Sequence, residues 1–241
     1  IGGRGEKTAS LTLNRATDTT RQPGSTFKIL AAYSAALDAG GLTLASVQDD
    51  APYTYAGANG KSVNNYDRRY RGFTTLREAI TDSINIVTVK TLAQAGVSLG
   101  WQYVQEYGFT TVDSRDMNEA LALGGITQGV SNLELTAAYA AIANQGTYIK
   151  PKFYTKILDH DGNVLIDNTT PESHTVIKDT TAWLLTSAME DVMTSGTGTS
   201  AYFGSSMAQA GKSGTTTSSR DALFAGYTPY YTCAVWGGYD D

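Results

Sequence analysis

The sequence predicts an α+β domain, in which an antiparallel sheet carries a helical insertion. Three observations predict it. Strand-like segments stand at both ends of the 241 residues, and helical periodicity fills the middle. The strands after Ser206 follow one another at short intervals, which antiparallel neighbours can span and parallel ones cannot. Hydrophobic content of 41% and charged content of 17% supply the core of one large domain. The sheet part is expected at about 1–30 and 148–241, with the helical insertion at about 31–147.

Each element has a local reason. Ile1 to Arg15 reads as extended, with Leu11 and Leu13 alternating. Pro23-Gly24 breaks the chain before a long apolar helix that Gly40-Gly41 stops. Residues from about Asp49 to Gly72 lack a period and read as a loop; Tyr66, Tyr70 and Phe73 are expected to pack it down, or else to line a groove. Thr75-x-x-Glu78 and Ser131-x-x-Glu134 are capping boxes that open helices. The first of these helices is interrupted near Asp82-Ser83, and another runs from about Trp101 to Tyr107. Residues 148–167 read as a hairpin about Asp161-Gly162-Asn163. Trp183, Leu184, Ala188, Met189 and Val192 share helical spacing over about Lys178 to Thr194. Strands then follow at 206–217, 223–227 and 231–239.

Composition excludes several functions. A net charge of -5 argues against a nucleic-acid partner, because phosphate binding needs a basic face. No apolar run approaches the roughly 18 residues of a membrane span. The chain opens Ile-Gly-Gly without Met, as an excised fragment would. Two histidines in polar surroundings, His160 and His174, and one cysteine make a metal site unexpected. Cys233, in an apolar run, is expected to be a buried structural thiol.

Three short motifs carry chemistry: Ser25-Thr26-Phe27-Lys28, Ser83-Ile84-Asn85 and Lys212-Ser213-Gly214-Thr215. Ser25 and Lys28 share one helix face, so the amine can reach the hydroxyl. Serine is a poor nucleophile until a base takes its proton. Lys28 can be that base if burial and a second cation, Lys212, disfavour its ammonium form. Ser83 can relay a proton between the lysines and a leaving amine. The Asn85 amide can donate to and accept from a substrate peptide group. Gly214 clears the strand edge for a substrate backbone, and Ser213 and Thr215 offer hydroxyls to a carboxylate beside Lys212. The N–H groups of Ser25 and Thr215 are candidates for an oxyanion hole. Ser62-Val63-Asn64 also fits Ser-x-Asn, but a helix boundary gives Ser83 the more rigid mount. Gly211-Lys212-Ser213 ends like a phosphate-binding loop, yet that pattern needs glycine where Ser206 stands.

The ordered triple resembles the signature of penicillin-binding proteins and serine β-lactamases. RQPGSTFK, TLREAITDSINIV, LALGGITQGVSNLELTAAYAAIANQGTYIKP, GKSGTTT and DALFAGYTPYYTCAVWGGYD extend it across nearly the whole chain. These blocks resemble the transpeptidase domain of class A, bifunctional penicillin-binding proteins. The resemblance implies a five-stranded antiparallel sheet flanked by helices, with an all-helical subdomain. The sheet's first strand would precede Ile1 and its last helix would follow Asp241. It implies a serine DD-transpeptidase that cross-links peptidoglycan stem peptides through an acyl-enzyme on Ser25 and is acylated by β-lactam antibiotics. Lys28, Ser83, Asn85 and Lys212 would serve that chemistry, and Ser213, Gly214, Thr215 and Thr217 would contact substrate. No cofactor and no metal are implied. The parent protein would be anchored at the outer face of the bacterial cytoplasmic membrane and carry a glycosyltransferase domain. Ser213 replaces the commoner Thr, and Leu223 stands where Trp is expected.

The rivals are a D,D-carboxypeptidase, a β-lactamase and a β-lactam-sensing domain that does not turn over. A β-lactamase needs a base for water, and Glu119 is the acidic residue at a suitable distance beyond Ser83, though it lacks the Asn that should follow it at position 123.

Overall fold

The computed structural model describes Glu6 and residues 9–56, 60–216 and 219–240. Residues 9–15 form turns rather than the expected strand. Leu11 and Leu13 are exposed, and Leu11 has φ 55°, so the alternation buries nothing. Strand β1 (Thr20–Arg21) pairs antiparallel with β6 (Val130–Ser131). The chain then enters the central helix of the molecule, residues 24–38. It opens as a tight turn at Gly24–Thr26, passes a π-helical turn at Ile29–Tyr33, and closes as α1 (Ser34–Asp38). Every residue from Thr26 to Ala36 is 0% exposed, as befits a helix apolar all round. The wide turn is pinned by the Ser34 hydroxyl, which donates to Ile29 O at 2.9 Å and meets Tyr107 Oη at 2.9 Å.

The segment expected to be all-helical also carries two short ribbons. Strand β2 (Val47–Asp50) pairs with β5 (Gly72–Thr75), and β3 (Tyr53–Thr54) with β4 (Ser62–Val63). Tyr66, Tyr70 and Phe73 do not pack this region down; all three are exposed. Both capping boxes form. Thr75 caps α2 (Leu76–Thr81) and Ser131 caps α5 (Asn132–Ala143), each with its glutamate bonded back. Between them lie α3 (Asn85–Ala95) and α4 (Val97–Glu106).

The region expected as one hairpin divides. Strand β7 (Thr147–Ile149) pairs with β10 (Ser173–Thr175). Within that loop β8 (Lys156–Leu158) and β9 (Val164–Asp167) form a separate ribbon, turned at Asp159, whose carboxylate accepts from the N–H groups of Asp161 and Asn163. Helix α6 (Asp179–Thr194) follows. Its Trp183 is 68% exposed and stays out of the core.

The main sheet is antiparallel, in the order β11 (Ala210–Thr215), β12 (Asp221–Tyr227), β13 (Thr232–Gly238). It has three strands among the described residues, where the resemblance implies five. Register places Lys212, Ala225 and Ala234 side by side on the buried face. Helices α5 and α6 cover that face: Asn132 donates to Ala234 O at 2.9 Å, and the Thr186 and Tyr227 hydroxyls meet at 2.7 Å. The other face carries Gly211, Gly226 and Cys233 in register. Cys233 is therefore exposed, not the buried thiol the apolar run suggested.

Candidate active site

Ser25 sits at the start of the central helix, in a turn held against strand β11. Gly24 has φ +54°, and a side chain there would stand 3.0 Å from Thr215 O. A side chain on Gly214 would stand 2.8 Å from Pro23 O and 2.9 Å from Thr26 Cγ2. The room left by Gly214 is thus filled by the Ser25 turn rather than kept for a substrate backbone. Tyr139 of α5 fixes the same turn, donating to Thr26 O at 2.7 Å.

Ser83 occupies the left-handed position that ends α2, with φ 57°. The N–H of Ile84 donates to Ala79 O at 2.9 Å and that of Ser83 to Ile80 O at 3.3 Å, the paired bonds of a Schellman cap. Glycine is the usual residue there. Serine bears the steric cost and in return aims both its carbonyl and its hydroxyl at Lys28.

Lys28 is fully buried. Its Nζ donates to Ser83 O at 2.6 Å and to Asn85 Oδ1 at 2.6 Å, and lies 3.1 Å from Ser83 Oγ. Burial, and then the charge of Lys212, hold its ammonium form well below the ordinary lysine range. A neutral amine has two N–H groups and one lone pair. The two carbonyl oxygens take the N–H groups and leave the lone pair to a hydroxyl. Ser25 was expected to be that hydroxyl directly. Among the described residues, however, its hydroxyl forms no hydrogen bond, and Ser83 is the nearer partner.

Asn85 is committed more deeply than the sequence suggested. Its Oδ1 serves Lys28, and one Nδ2–H goes to Asn64 O at 2.7 Å, so one N–H is left for a substrate. Lys212 is 0% exposed on the edge strand, with its Nζ 3.1 Å from Ser213 O, and burial pushes its pKa down to about 7. The Ser213 hydroxyl meets that of Thr197 at 2.7 Å.

Ser25, Ser83, Asn85, Ser213 and Thr215 line one open groove of about 380 Å³, with Asn65, Tyr66 and Thr197 along its walls. Lys28 and Lys212 lie buried and do not line it. Thr217 falls outside the described residues. Three larger hollows, about 590 Å³ between α5 and α6, about 760 Å³ around Arg21 and Arg220 and about 570 Å³ beside Lys150 and Tyr154, hold no serine–lysine pair among the described residues. Glu119 does not reach the groove; its buried carboxylate accepts from the Tyr53 hydroxyl at 2.9 Å and from Ala56 N at 2.8 Å. Asn65 and Thr197 reach the site from loops with no motif of their own, and Asn64, the end of the Ser62-Val63-Asn64 match set aside above, enters it through its main-chain carbonyl.

A buried lysine is thus held on a serine and an asparagine, one helical turn after a half-buried serine that faces the groove. The model of the penicillin binding protein transpeptidase domain matches residues 4–237, and the chain belongs to that family of enzymes. Penicillin-binding protein 1F of Bacillus subtilis (strain 168) is 40% identical over 100% of this chain and 33% of its own length. Penicillin-binding protein 1A of Clostridium perfringens (strain 13 / Type A) is 36% identical over 100% of this chain and 36% of its own. The chain thus spans about a third of the curated relatives it matches. The crystal structure of penicillin-binding protein 1A from Haemophilus influenzae superposes with TM-score 0.84 at 28% identity, over 95% of this chain and 39% of that one. PonA1 from Mycobacterium tuberculosis, in complex with penicillin V, gives TM-score 0.80 at 25% identity over 95% and 62%.

Proposed function

We propose that this domain is a serine D-Ala-D-Ala transpeptidase of peptidoglycan. The observation that carries the reading is an unbonded Ser25 hydroxyl in the groove, one helical turn ahead of a buried Lys28 that Ser83 and Asn85 hold and whose pKa burial depresses. Ser25 Oγ attacks the carbonyl carbon of the penultimate D-Ala of a stem peptide, and its proton passes to Lys28. The N–H groups of Ser25 and Thr215 hold the oxyanion. The peptide C–N bond breaks, and the departing D-Ala amine takes the proton through Ser83. An amine of a neighbouring stem then attacks the ester, gives its proton to the lysine–serine pair, and Ser25 recovers its own. Ser213, Thr215 and Thr217 grip the terminal carboxylate, with Lys212 buried behind them. A β-lactam enters as a mimic of the same peptide; PonA1, which this chain resembles, has been solved in complex with penicillin V.

Glu119 is spent on Tyr53 and Ala56, which argues against rapid release of the ester to water. No described helix is long and apolar enough to cross a membrane. Since the relatives are about three times longer, the whole protein is proposed to add a glycosyltransferase domain and a membrane anchor, and to act on the outer face of the cytoplasmic membrane. Incubation with a labelled penicillin, followed by peptide mass spectrometry, should find the adduct on Ser25. Folded Lys28→Ala should carry none. An unlabelled Ser25 peptide from folded wild-type protein would sink the proposal.

A further inference from the structure

The Ser83-Ile84-Asn85 motif creates a structural problem. Helix α3 begins at Asn85, so Ile84 takes the capping position and offers no side-chain acceptor to the first N–H groups. The acceptor arrives from twenty residues upstream. Asn65 Oδ1 takes the N–H of Asn85 at 3.0 Å and that of Ile86 at 3.2 Å. The Asn65 amide is itself fixed on its donor side. Its Nδ2 donates to both oxygens of Asp50, at 2.8 and 2.9 Å, and to Arg69 O at 2.8 Å. Asp50 is 0% exposed and Asn65 is 4% exposed. Asp50 also takes the N–H of Arg71 at 2.9 Å. The adjacent Asn64 carbonyl binds the Asn85 side chain.

Resting on the transpeptidase reading, we propose that Asn65, locked by Asp50, is a positioning residue for acylation. It sets the backbone of Asn85, so that Asn85 Oδ1 stands where Lys28 needs it. An Asn85 carbonyl displaced by a fraction of an ångström would let the lysine amine turn away from the hydroxyls it serves. Residues 64 and 65 hold Asn85 at main chain and side chain together, and the Asp50 carboxylate selects one of the two orientations of the Asn65 amide.

The test is a stopped-flow titration with a fluorescent penicillin, which separates the acylation rate at saturation from the non-covalent dissociation constant. Near-UV circular dichroism checks each variant's fold. Asn65→Ala should lower the saturating rate roughly 10–100-fold, well beyond any change in the dissociation constant. Asn65→Asp, which sets two carboxylates against each other, should also be slow. The exchanged pair Asp50→Asn with Asn65→Asp restores one donor and one carboxylate but leaves Arg69 O without its donor, and should recover part of the rate. A folded Asn65→Ala variant acylated at the wild-type rate overturns the inference. So does an exchanged pair no faster than Asn65→Asp alone, and this comparison decides the matter if Asn65→Ala fails to fold. Absence of an acyl-enzyme in wild type would instead strike at the transpeptidase reading itself.

Discussion

At the scale of single residues, the site trades stability for chemistry at Ser83. A left-handed backbone costs a non-glycine residue roughly 1 kcal/mol, and the Schellman cap of α2 asks only for that backbone. Ser83→Gly should therefore raise unfolding free energy by about that amount in denaturant melts, while slowing Ser25 acylation. A variant neither stabilised nor slowed would mean that the hydroxyl is incidental. Ser25, Lys28, Ser83, Asn85 and Lys212 are legible because each lies in a short motif that begins at a helix start, a helix boundary or a strand edge. Asn65 was not legible: its neighbours in sequence are an ordinary polar loop, and its role comes from folding a twenty-residue detour back onto α3. The sequence also suggested a direct Ser25–Lys28 bond. The residues are on neighbouring turns as expected, but two carbonyl acceptors from the Ser83–Asn85 segment draw the amine away.

Among elements, the decisive fit is between the edge strand β11 and the turn that carries Ser25. No sequence pattern announces it, because Gly24 and Gly214 are far apart along the chain and each has an innocent local reading. A methyl group on residue 214 would meet Pro23 O at 2.8 Å, a rigid backbone atom. Gly214→Ala should cost about 1–3 kcal/mol as overpacking and move β11 away from Ser25, lowering acylation in parallel. Thermal melts and the labelled-penicillin assay read both. Unchanged values would show that the strand can shift without affecting the nucleophile. The helices were read more faithfully, since capping boxes such as Thr75–Glu78 are wholly local. The paired strands were read less well. The apolar runs at 148–167 gave the hairpin turn and its inner pair, β8 with β9, but β7 at the start of that range pairs with β10 instead.

For the whole molecule, buried titratable groups set the response to pH. Lys212 binds its proton with a pKa of about 7 when folded, against 10.5 in the open chain, and Lys28 is lowered in the same direction. Between these values the unfolded chain holds more protons, so stability should climb as pH rises from about 7 toward 10. Tyr33, Tyr107 and Tyr139 are shifted the other way, held protonated by burial above their usual 10.0. The unfolded chain therefore loses those protons first, and stability should fall beyond about pH 10. Urea melts from neutral to alkaline pH test the rise and the fall, and Lys212→Met should flatten the rise. Which face of the sheet was buried could not be read from alternation alone. Lys212 and Cys233 both sit in apolar strands, but only the placement of α5 and α6 decides that the lysine is covered and the thiol is not.

The wide turn at Ile29–Tyr33 has one more consequence. It holds one residue more than an α-helical turn would. Deleting a residue there would let the hydrogen bonds close up as an ordinary helix, so the element itself would survive. Because the wide turn absorbs that one residue, the half carrying Ser25 and Lys28 would keep its orientation against the half carrying Ser34. A residue deleted from Ser34–Asp38 meets no such slack: it would turn what lies beyond it by about 100°, and with every side of this rod packed from Thr26 to Ala36 that rotation cannot be absorbed. The wide turn is therefore a place where this helix can change its count of residues without moving the nucleophile.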